Sequence, residues 1–276
     1  MKILITGAKG QLGSELQRVL RDHQLLLLDK DSLDIIDRQA VIEYIIRNKP
    51  EVIIHAAAFT DVDGCELNRN ICQKVNVIGT RNVAEASLEI SAKLIFISTD
   101  YVFDGKKKSP YQERDQARPI NFYGETKLQA EHEARKVKKH FILRTAWLYS
   151  TFGKNFPKTI LKAAKEKPCL EIVDDQIGSP TYTRDLAGLI KHLLSCSHYG
   201  TYHAVNSGQV SWYGLAKEIL KLAGIKTPIK PIKSAALGRP APRPRFSVLS
   251  NRKIKKICQL RPWQAALREF FEERCP

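Results

Sequence analysis

Tyr123 and Lys127 are the residues of this sequence whose types and spacing best suit proton transfer. They lie four positions apart in the segment YGETK, so a helix would place both on one face. A phenol has an ordinary pKa of about 10, and an adjacent ammonium group favours the phenolate and lowers that pKa. We therefore predict that Tyr123 is an acid–base catalyst and that Lys127 tunes it.

Thr99 is the third candidate, because it lies at the end of the predicted strand 93–97. Its hydroxyl can donate to a carbonyl oxygen on which negative charge develops. Polar side chains at the carboxyl ends of parallel strands meet at one edge of the sheet, where ligand sites form. We predict that Thr99, Tyr123 and Lys127 form one catalytic set. A YxxxK pattern alone is common by chance, and it becomes specific only beside a glycine-rich nucleotide turn.

Such a turn is present in the segment TGAKGQLG, which matches TGxxGxxG directly after a strand-like run and opens a helical pattern. In this type of turn Gly7 permits the tight bend, Gly10 lets a pyrophosphate approach the backbone, and Gly13 lets the helix pack closely on the strand. The helix N-terminus offers free N–H groups and a positive dipole end to the phosphates. The predicted dinucleotide contacts in the turn are Gly7, Gly10, Gln11, Leu12 and Gly13.

The second predicted strand ends in Asp29, where an acidic side chain accepts hydrogen bonds from an adenosine ribose and favours NADH. Lys30 follows it and can receive a 2′-phosphate, so NADPH stays open as the cofactor. Asp34 is a second candidate for the adenine end, or else a turn-capping residue. The remaining predicted cofactor contacts, small residues after the third strand and the pair at the nicotinamide ribose, are Ala56, Ala57, Ala58, Tyr123 and Lys127.

The first half of the chain alternates short apolar runs with segments of helical periodicity. The apolar run 25–28 and the segment 93–98 predict strands that are buried on both faces, and segments such as 11–22 and 75–90 predict helices. Strands separated by helices of about ten to fifteen residues predict βαβ units and a doubly wound parallel α/β sheet, the Rossmann architecture. We place this dinucleotide-binding domain at residues 1–149.

After residue 149 the pattern loosens, and helical segments alternate with irregular chain that includes the Pro/Arg-rich stretch 238–245. No internal repeat and no long linker separates this part from the first. We predict that residues 150–276 form mainly a smaller C-terminal substrate-binding lobe, with some segments returning to the Rossmann sheet.

The composition, 43% hydrophobic and 27% charged residues, is that of a soluble globular protein. No apolar stretch approaches the roughly 20 residues that a membrane helix needs, and the first residues lead into a predicted strand rather than a signal peptide. We therefore expect a cytoplasmic protein without a membrane partner. The cysteines show no CxxC pair, so we expect free thiols rather than disulfides or a metal site. They are Cys65, Cys72, Cys169, Cys196, Cys258 and Cys275.

The net charge of +16 is confined to the second half of the chain. Residues 1–125 carry 17 Lys and Arg against 18 Asp and Glu, whereas residues 126–276 carry 28 against 11. Because no basic run is interleaved with aromatic residues and no nucleic-acid-binding motif is present, we expect no nucleic-acid partner. A small polyanionic substrate held by the second half explains the asymmetry, as does a basic surface without specific use.

Together these motifs resemble the extended short-chain dehydrogenase/reductases and, more narrowly, the dTDP-4-dehydrorhamnose reductase family. The similarity runs nearly from end to end and implies a Rossmann domain with a smaller C-terminal substrate lobe. It is carried by GQLGSELQ (10–17), AAAFTDVD (56–63), STDYVFDG (98–105), NFYGETK (121–127), RTAWLY (144–149), NF (155–156), DQIGSPT (175–181) and RP (243–244), followed by Ser247 and Leu249.

By that resemblance, the chain is expected to reduce the 4-keto group of dTDP-4-dehydro-L-rhamnose with NADPH or NADH, giving dTDP-L-rhamnose for polysaccharide biosynthesis. The resemblance implies that Tyr123 protonates the alkoxide, that Lys127 tunes it and that Thr99 orients the ketone. It also implies a set of substrate contacts, in which Arg243 is the candidate for a bidentate grip on a phosphate. These are Thr99, Asp100, Trp147, Asn155, Gly178, Ser179 and Arg243.

Some members of this family are dimers bridged by magnesium through glutamates. Glu15 matches one such position, where a solvated helix residue is the alternative, but Arg184 stands where another acid would align. Magnesium is therefore possible but not required, and we expect a monomer or a homodimer.

Other functions share the fold and the Tyr–Lys pair. A sugar-nucleotide 4,6-dehydratase needs an Asp-Glu pair after the Thr, but here Asp100 is followed by Tyr101. A 4-epimerase stays open, because it uses the same Ser/Thr, Tyr and Lys. A reductase of another 4-keto deoxysugar nucleotide stays open as well. So does a non-catalytic regulatory subunit like the β subunit of methionine adenosyltransferase, which resembles the same family.

Overall fold

A six-stranded parallel sheet runs through the centre of the computed structural model, which describes residues 1–274. The strands are β1 (Lys2–Thr6), β2 (Gln24–Leu28), β3 (Val52–His55), β4 (Lys93–Thr99), β5 (His140–Thr145), β6 (Leu148–Tyr149), β7 (Leu170–Val173), β8 (Ile177–Gly178), β9 (Thr181–Tyr182), β10 (Gly200–His203), β11 (Val210–Ser211) and β12 (Ile229–Ile232). The central sheet has the order β10-β5-β4-β3-β1-β2. The predicted fold class is confirmed.

Helices cover both faces of this sheet and build the second lobe. They are α1 (Gln11–Val19), α2 (Arg38–Asn48), α3 (Val62–Leu67), α4 (Arg69–Gln73), α5 (Gly79–Glu89), α6 (Phe122–Arg135), α7 (Phe156–Glu166), α8 (Thr183–Ser195), α9 (Trp212–Leu222) and α10 (Trp263–Arg274). Within the described residues, none has the length and hydropathy that crossing a bilayer requires.

The side chains of β1 alternate between the two faces of the sheet, and helices pack on both faces. Ile3 and Ile5 point to one face and pack with apolar residues of α1 and α8. Leu4 points to the other face and packs with α2, α5 and α6. Since both faces of a central parallel strand are removed from water, its sequence is a continuous apolar run.

The apolar run that forms β2 is an exception to the prediction of strands buried on both faces. β2 pairs only with β1 and lies at the edge of the sheet. Leu28 is buried, but Leu27 is 41% exposed. The expectation of full burial was wrong for this strand.

The segment between β3 and β4 differs most from the sequence expectation. Two short helices, α3 and α4, precede the predicted helix and were not expected. Asp61 caps α3 by accepting a hydrogen bond from the Gly64 N–H at 3.0 Å, and Asn68 lies at the break between the two helices. The predicted helix over 75–90 begins as a π-helical turn, Lys74–Ile78, and continues as α5.

The chain after residue 149 contributes to both parts of the molecule. β10 pairs with β5 as the outermost strand of the central sheet, and α8 packs on α1. α7, α9 and α10 surround a separate core with the strand pairs β7–β12 and β6–β9. Tyr182 and Phe270 are fully buried in this second core. The domain boundary at residue 149 stays a prediction.

Five of the predicted free cysteines are free thiols in the structure: Cys65, Cys72, Cys169, Cys196 and Cys258. Cys275 lies outside the described residues.

A buried carboxylate fastens α6 to the two strands beneath it. Glu131 accepts a hydrogen bond from the Ser98 hydroxyl at 2.7 Å and two from the Arg144 guanidinium at 2.8 and 2.7 Å. Arg135 donates a further one at 2.6 Å. Glu131 is completely buried, yet its pKa is lowered, because the hydrogen bonds and positive charge of Arg144 and the other donors outweigh the effect of burial.

Glu131→Gln is expected to destabilise the protein by about 3–5 kcal/mol, because it leaves the buried Arg144 guanidinium without its counter-charge. Chemical denaturation measures this free energy of unfolding. Glu125→Gln on the exposed side of the same helix is the matched control, expected to change stability by less than about 0.5 kcal/mol. Equal effects of the two substitutions would show that the buried network does not fasten the helix.

Candidate active site

The carboxyl ends of the central strands open into a cavity of about 860 Å³. The ends of β1 to β5 and the segments that follow them line it, as expected for a ligand site in a parallel sheet. Most of the predicted site residues lie on its wall: Gly7, Gly10, Gln11, Leu12, Gly13, Asp29, Lys30, Asp34, Ala56, Ala57, Ala58, Thr99, Asp100, Tyr123, Lys127 and Trp147.

The glycine turn is shaped by contacts that leave no room for side chains. Gly7 adopts a φ of +71°, and a Cβ there would lie 2.8 Å from the Ala57 nitrogen. A Cβ on Gly13 would lie 2.2 Å from the Gly7 carbonyl oxygen. Gly10 precedes α1 without any side-chain cap, so the first N–H groups of that helix remain for an anion. The turn therefore has the form that a dinucleotide pyrophosphate requires.

The end of the cavity that is predicted to hold the adenosine combines both signs of charge. Lys9, which the sequence analysis did not single out, lies 2.9 Å from the carboxylates of both Asp29 and Asp31. Hydrogen bonding from Lys9 lowers the pKa of Asp29, and Lys30 lies beside them on the cavity wall. Asp34 accepts a hydrogen bond from the Ile36 N–H at 3.0 Å, which is the turn-capping role left open for it.

The small residues after β3 are backed by a buried polar chain. Thr6 Oγ1 lies 2.7 Å from His55 Nδ1 and accepts a hydrogen bond from the Ala57 N–H at 3.3 Å. His55 Nε2 lies 3.0 Å from Thr80 Oγ1. Burial, with a smaller contribution from the charge of Lys127, lowers the pKa of His55 to about 3, so the imidazole is neutral. Its position indicates that it holds the Ala56–Ala58 segment against the glycine turn.

The three predicted catalytic residues share one end of the cavity. The Thr99 hydroxyl donates to Asp100 Oδ1 at 3.1 Å and accepts from the Tyr101 N–H at 3.2 Å. Lys127 Nζ donates to the Ile97 carbonyl oxygen at 2.7 Å. Strand β4 and helix α6 thus bring Thr99, Tyr123 and Lys127 to one wall, as the sequence predicts, and their catalytic roles stay predictions.

The pKa values of the Tyr–Lys pair differ from the sequence expectation. Burial raises the pKa of Tyr123 above its ordinary value, and a hydrogen bond with Thr99 opposes this only in part. Burial also lowers the pKa of Lys127 to about 7. The expected lowering of the Tyr123 pKa by Lys127 is not what the structure shows, because the ammonium is bonded to the Ile97 carbonyl. Tyr123 is a phenol at neutral pH and can donate a proton.

Asp100 is a buried acid next to this pair. Burial raises its pKa to about 7, and hydrogen bonds from Ser247 and Thr99 oppose the rise. Its negative charge would also raise the pKa of Tyr123. With a pKa of about 7, Asp100 exchanges between its protonated and charged forms at neutral pH, next to the hydroxyl of Thr99.

Four predicted substrate contacts do not line the cavity. Arg243 does not present an open grip for a phosphate, because its two terminal nitrogens donate to Asp63 at 2.6 and 2.7 Å. Ser179 is fully buried and donates to the Gly208 carbonyl. Asn155 caps α7 and donates to the Gln11 side chain at 3.3 Å, so it touches the site only through the glycine turn. Gly178, the fourth, lies directly against the indole of Trp147.

Sequence reasoning missed Trp212, Tyr101 and Lys9, all of which line the cavity. Trp212 lies far along the chain in α9, and only tertiary packing brings it to Trp147. The sequence does indicate Lys9, because a lysine inside the glycine turn is expected to lie near the end of the second strand, where Asp29 stands. Tyr101 stood within the quoted STDYVFDG segment.

A family model described as "RmlD substrate binding domain" matches residues 1–275. The chain belongs to this RmlD family. Its relatives include the spore coat polysaccharide biosynthesis protein SpsK of Bacillus subtilis, at 42% identity over 99% of this chain and 98% of the relative. They also include a dTDP-4-dehydrorhamnose reductase of Streptomyces griseus, at 38% identity over 99% of this chain and 93% of the relative.

The solved structure of a relative contains a bound cofactor. The dTDP-4-dehydrorhamnose reductase of Bacillus anthracis, in complex with NADP, superposes with a TM-score of 0.96 at 40% identity and covers 99% of both chains. The RmlD-family chain described here is thus an NAD(P)-dependent oxidoreductase, and the cofactor prediction is confirmed. The glycine turn and the Asp29 end of the cavity are the parts that fit this dinucleotide.

The positions considered for a magnesium bridge are occupied by ion pairs. Glu15 is fully buried rather than solvated and lies 2.7 Å from an Arg18 nitrogen. Arg184 pairs with Glu269 and Glu273 of α10. Arginine charges therefore neutralise the acids of this region within one chain.

Lys9→Gln is expected to raise the KM for NADPH by about tenfold, while the KM for NADH changes less than about twofold. Without Lys9, the Asp29 and Asp31 carboxylates repel a 2′-phosphate. Steady-state kinetics with each cofactor measures this, and Lys138→Gln at an exposed position is the control. Equal changes in the KM for NADPH and for NADH would contradict a role of Lys9 in binding the 2′-phosphate.

Lys127→Met is expected to change stability in a pH-dependent way. The Lys127 pKa falls from 10.5 to about 7 on folding, so the unfolded chain binds more protons between these values. Burying the charged lysine costs stability at pH 6, and this cost disappears as the pH rises towards 10. The melting temperature of the variant relative to wild type should be highest near pH 6 and decline towards pH 10. Lys138→Met is the control, for which we expect a melting-temperature difference that does not depend on pH. The same pH-independent difference for Lys127→Met would contradict the lowered pKa of Lys127.

Proposed function

We propose that this protein reduces the 4-keto group of dTDP-4-dehydro-L-rhamnose to dTDP-L-rhamnose, using NADPH or NADH. The observation that carries the proposal is the convergence of Thr99, Tyr123 and Lys127 on one wall of the dinucleotide cavity, with Trp147 beside them. The family membership over nearly the whole chain supports the same reaction class. The named relatives support a role in nucleotide-sugar metabolism for polysaccharides.

The residues of the site divide the chemistry between them. When bound, the reduced nicotinamide supplies the hydride to the C4 carbonyl carbon. The Thr99 hydroxyl orients the carbonyl oxygen, and Tyr123, which is protonated at neutral pH, donates its proton to that oxygen as negative charge develops. Lys127 lies one turn further along the same helix and holds the nicotinamide ribose, with its Nζ bonded to the Ile97 carbonyl oxygen. No step requires a metal ion.

The surroundings of Asp100 favour reduction over dehydration. Dehydration needs an acid–base pair to remove a proton from carbon and to release water, and the residue after Asp100 is Tyr101 rather than a glutamate. Asp100 accepts the one proton of the Thr99 hydroxyl at 3.1 Å, so this hydrogen bond must be exchanged for one to the ketone oxygen when the substrate binds. The described site therefore lacks the Asp-Glu pair that dehydration requires, and Tyr123 is the residue assigned as proton donor.

The charge distribution supports an anionic nucleotide substrate. The second half of the chain carries the whole positive excess, and it contributes Lys127, Trp147 and Trp212 to the cavity wall. Because Arg243 is paired with Asp63, any grip on the diphosphate involves either other basic residues or a rearrangement of that pair.

The proposal is tested by oxidation of NADPH and NADH with dTDP-4-keto-6-deoxyglucose and a 3,5-epimerase, followed by identification of the sugar. We expect cofactor consumption and dTDP-L-rhamnose. Tyr123→Phe should lower kcat by about 10²–10⁴-fold, since it removes the proton donor. Tyr44→Phe on α2 is the control and should retain activity. No cofactor consumption by wild type with either nucleotide would exclude the reaction.

A 4-epimerase is the competing function, and it keeps NAD bound through turnover, whereas a reductase exchanges its cofactor in each cycle. The absorbance of the purified protein distinguishes the two. We expect substoichiometric nucleotide, and one tightly held NAD per chain would favour the epimerase.

A further inference from the structure

Residues 241–243 of the second half of the chain lie between two elements of the first half, α3 and the start of α6. Asp63, in the first turn of α3, accepts hydrogen bonds from the Ala241 N–H at 3.1 Å and from both terminal nitrogens of Arg243 at 2.6 and 2.7 Å. The Pro242 carbonyl oxygen accepts one from the Asn121 side-chain amide at 2.8 Å. All three residues of this segment, which we call the strap, are therefore bound to the first half.

We propose that the strap is a positioning device for Tyr123. Asp63 and Arg243 hold the strap, and the strap holds Asn121, the residue that caps α6 two positions before Tyr123. The proposal rests on the function proposed above, because it takes Tyr123 as the proton donor. It gives Arg243 a role other than a grip on the diphosphate of the substrate.

The first turn of α6 depends on partners outside the helix, because the first N–H groups of a helix have no acceptor within it. Asn121 Oδ1 accepts a hydrogen bond from the Gly124 N–H at 2.8 Å. Glu66 of α3 accepts one from the Phe122 N–H at 2.7 Å. Tyr123 lies between these two anchored residues, so the direction of its side chain depends on where Asn121 and Glu66 are held.

The buried Glu131 network fixes α6 at a different point. Glu131 lies eight residues beyond Tyr123, which corresponds to about 12 Å along the helix axis. Since the ends of helices open at a lower cost in free energy than their centres, an anchor at that distance does not by itself fix the first turn. The strap supplies the missing anchor at the N-terminus of the helix.

The strap also borders the ring that packs on Tyr123. Burial raises the pKa of Tyr101, and the positive charge of Arg243 beside it opposes that rise. The rings of Tyr101 and Tyr123 meet edge to face at a centroid separation of 5.9 Å. A Cβ on Gly124 would lie 2.2 Å from the Tyr101 carbonyl oxygen, so the main chain of Tyr101 lies directly against α6. Arg243 thus reaches Tyr123 through Tyr101 as well as through the cap.

The contacts of Arg243 suit a fixed link better than the capture of a ligand. Its side chain is 9% exposed, and besides Asp63 it donates to the Ala241 carbonyl oxygen at 2.7 Å. The hydrogen bond from Arg243 is the main cause that lowers the pKa of Asp63, which is therefore a carboxylate at neutral pH. A two-point pair between a guanidinium and a carboxylate fixes geometry as well as distance.

Asn121→Asp separates the strap from the helix cap. Aspartate caps a helix about as well as asparagine, but it cannot donate to the Pro242 carbonyl oxygen. We expect kcat to fall by about tenfold, with the KM for NADPH and for the 4-keto sugar nucleotide within about twofold. Asp37→Asn, the reverse exchange at the exposed cap of α2, is the matched control and should leave kcat unchanged. An unchanged kcat in Asn121→Asp would overturn the proposal.

Asp63→Asn distinguishes a strap from a phosphate grip. It removes the counter-charge of Arg243, and we expect kcat to fall by about tenfold with the KM for the sugar nucleotide within about twofold. A phosphate grip predicts instead that the freed Arg243 lowers this KM and leaves kcat unchanged, and that result would overturn the proposal. Because Asp63→Asn and Asn121→Asp change the charge in opposite directions, a common fall in kcat is not an effect of charge alone. The double variant should lose no more than either single variant, since both act on one strap.

NMR of tyrosines labelled with ¹³C in the ring tests the positioning without the reaction. The chain has nine tyrosines, and Tyr123→Phe identifies the Tyr123 signal by its loss. We expect this signal to shift in Asn121→Asp and in Asp63→Asn but not in Asp37→Asn. If wild type reduces no 4-keto sugar nucleotide and the signal still shifts, the strap stands and the proposed reaction fails. If the reaction proceeds and neither kcat nor the signal changes in the two variants, the strap fails and the reaction stands.

Discussion

The ion pair between Glu131 and Arg144 is the interaction on which the geometry of the site depends. Through Ser98 it fixes the helix that carries Tyr123 and Lys127 on the strand that ends in Thr99. Breaking a buried pair leaves an uncompensated charge, so the helix has one strongly preferred position. A proton donor and a carbonyl-orienting hydroxyl need such fixed separation, because proton transfer requires hydrogen-bond distance in the reacting complex.

The same burial sets the protonation states. Tyr123 and Asp100 are surrounded by protein, which raises the pKa of each, and Lys127 has its pKa lowered to about 7. All three shifts favour the neutral form, as expected where charges are removed from water. A neutral phenol is the form that donates a proton to a developing alkoxide. Reduction of a ketone thus agrees with the electrostatics as well as with the arrangement of the residues.

The sequence predicted the parts of the site that depend on local pattern or on the topology of a parallel sheet. The glycine turn follows from residues within one segment, and Thr99 reaches the cavity because carboxyl ends of parallel strands share an edge. It did not predict that Arg243 is paired with Asp63, 180 positions away, or that Trp212 stacks on Trp147. Such pairings depend on how the second lobe packs, which no local periodicity encodes. The edge position of β2 and the π-helical turn before α5 likewise depend on neighbours in space.

The central claim is a hydride transfer followed by protonation from Tyr123. Isotope tracing tests it most directly, with NADPH deuterated at C4 of the nicotinamide on the transferred face, dTDP-4-dehydro-L-rhamnose as the acceptor, and analysis of the product by NMR. The account predicts one deuterium at C4 of the sugar and none at its other carbons. In D₂O with unlabelled NADPH, C4 should carry protium. Solvent deuterium at C4, or label that never leaves the cofactor while product forms, would contradict it.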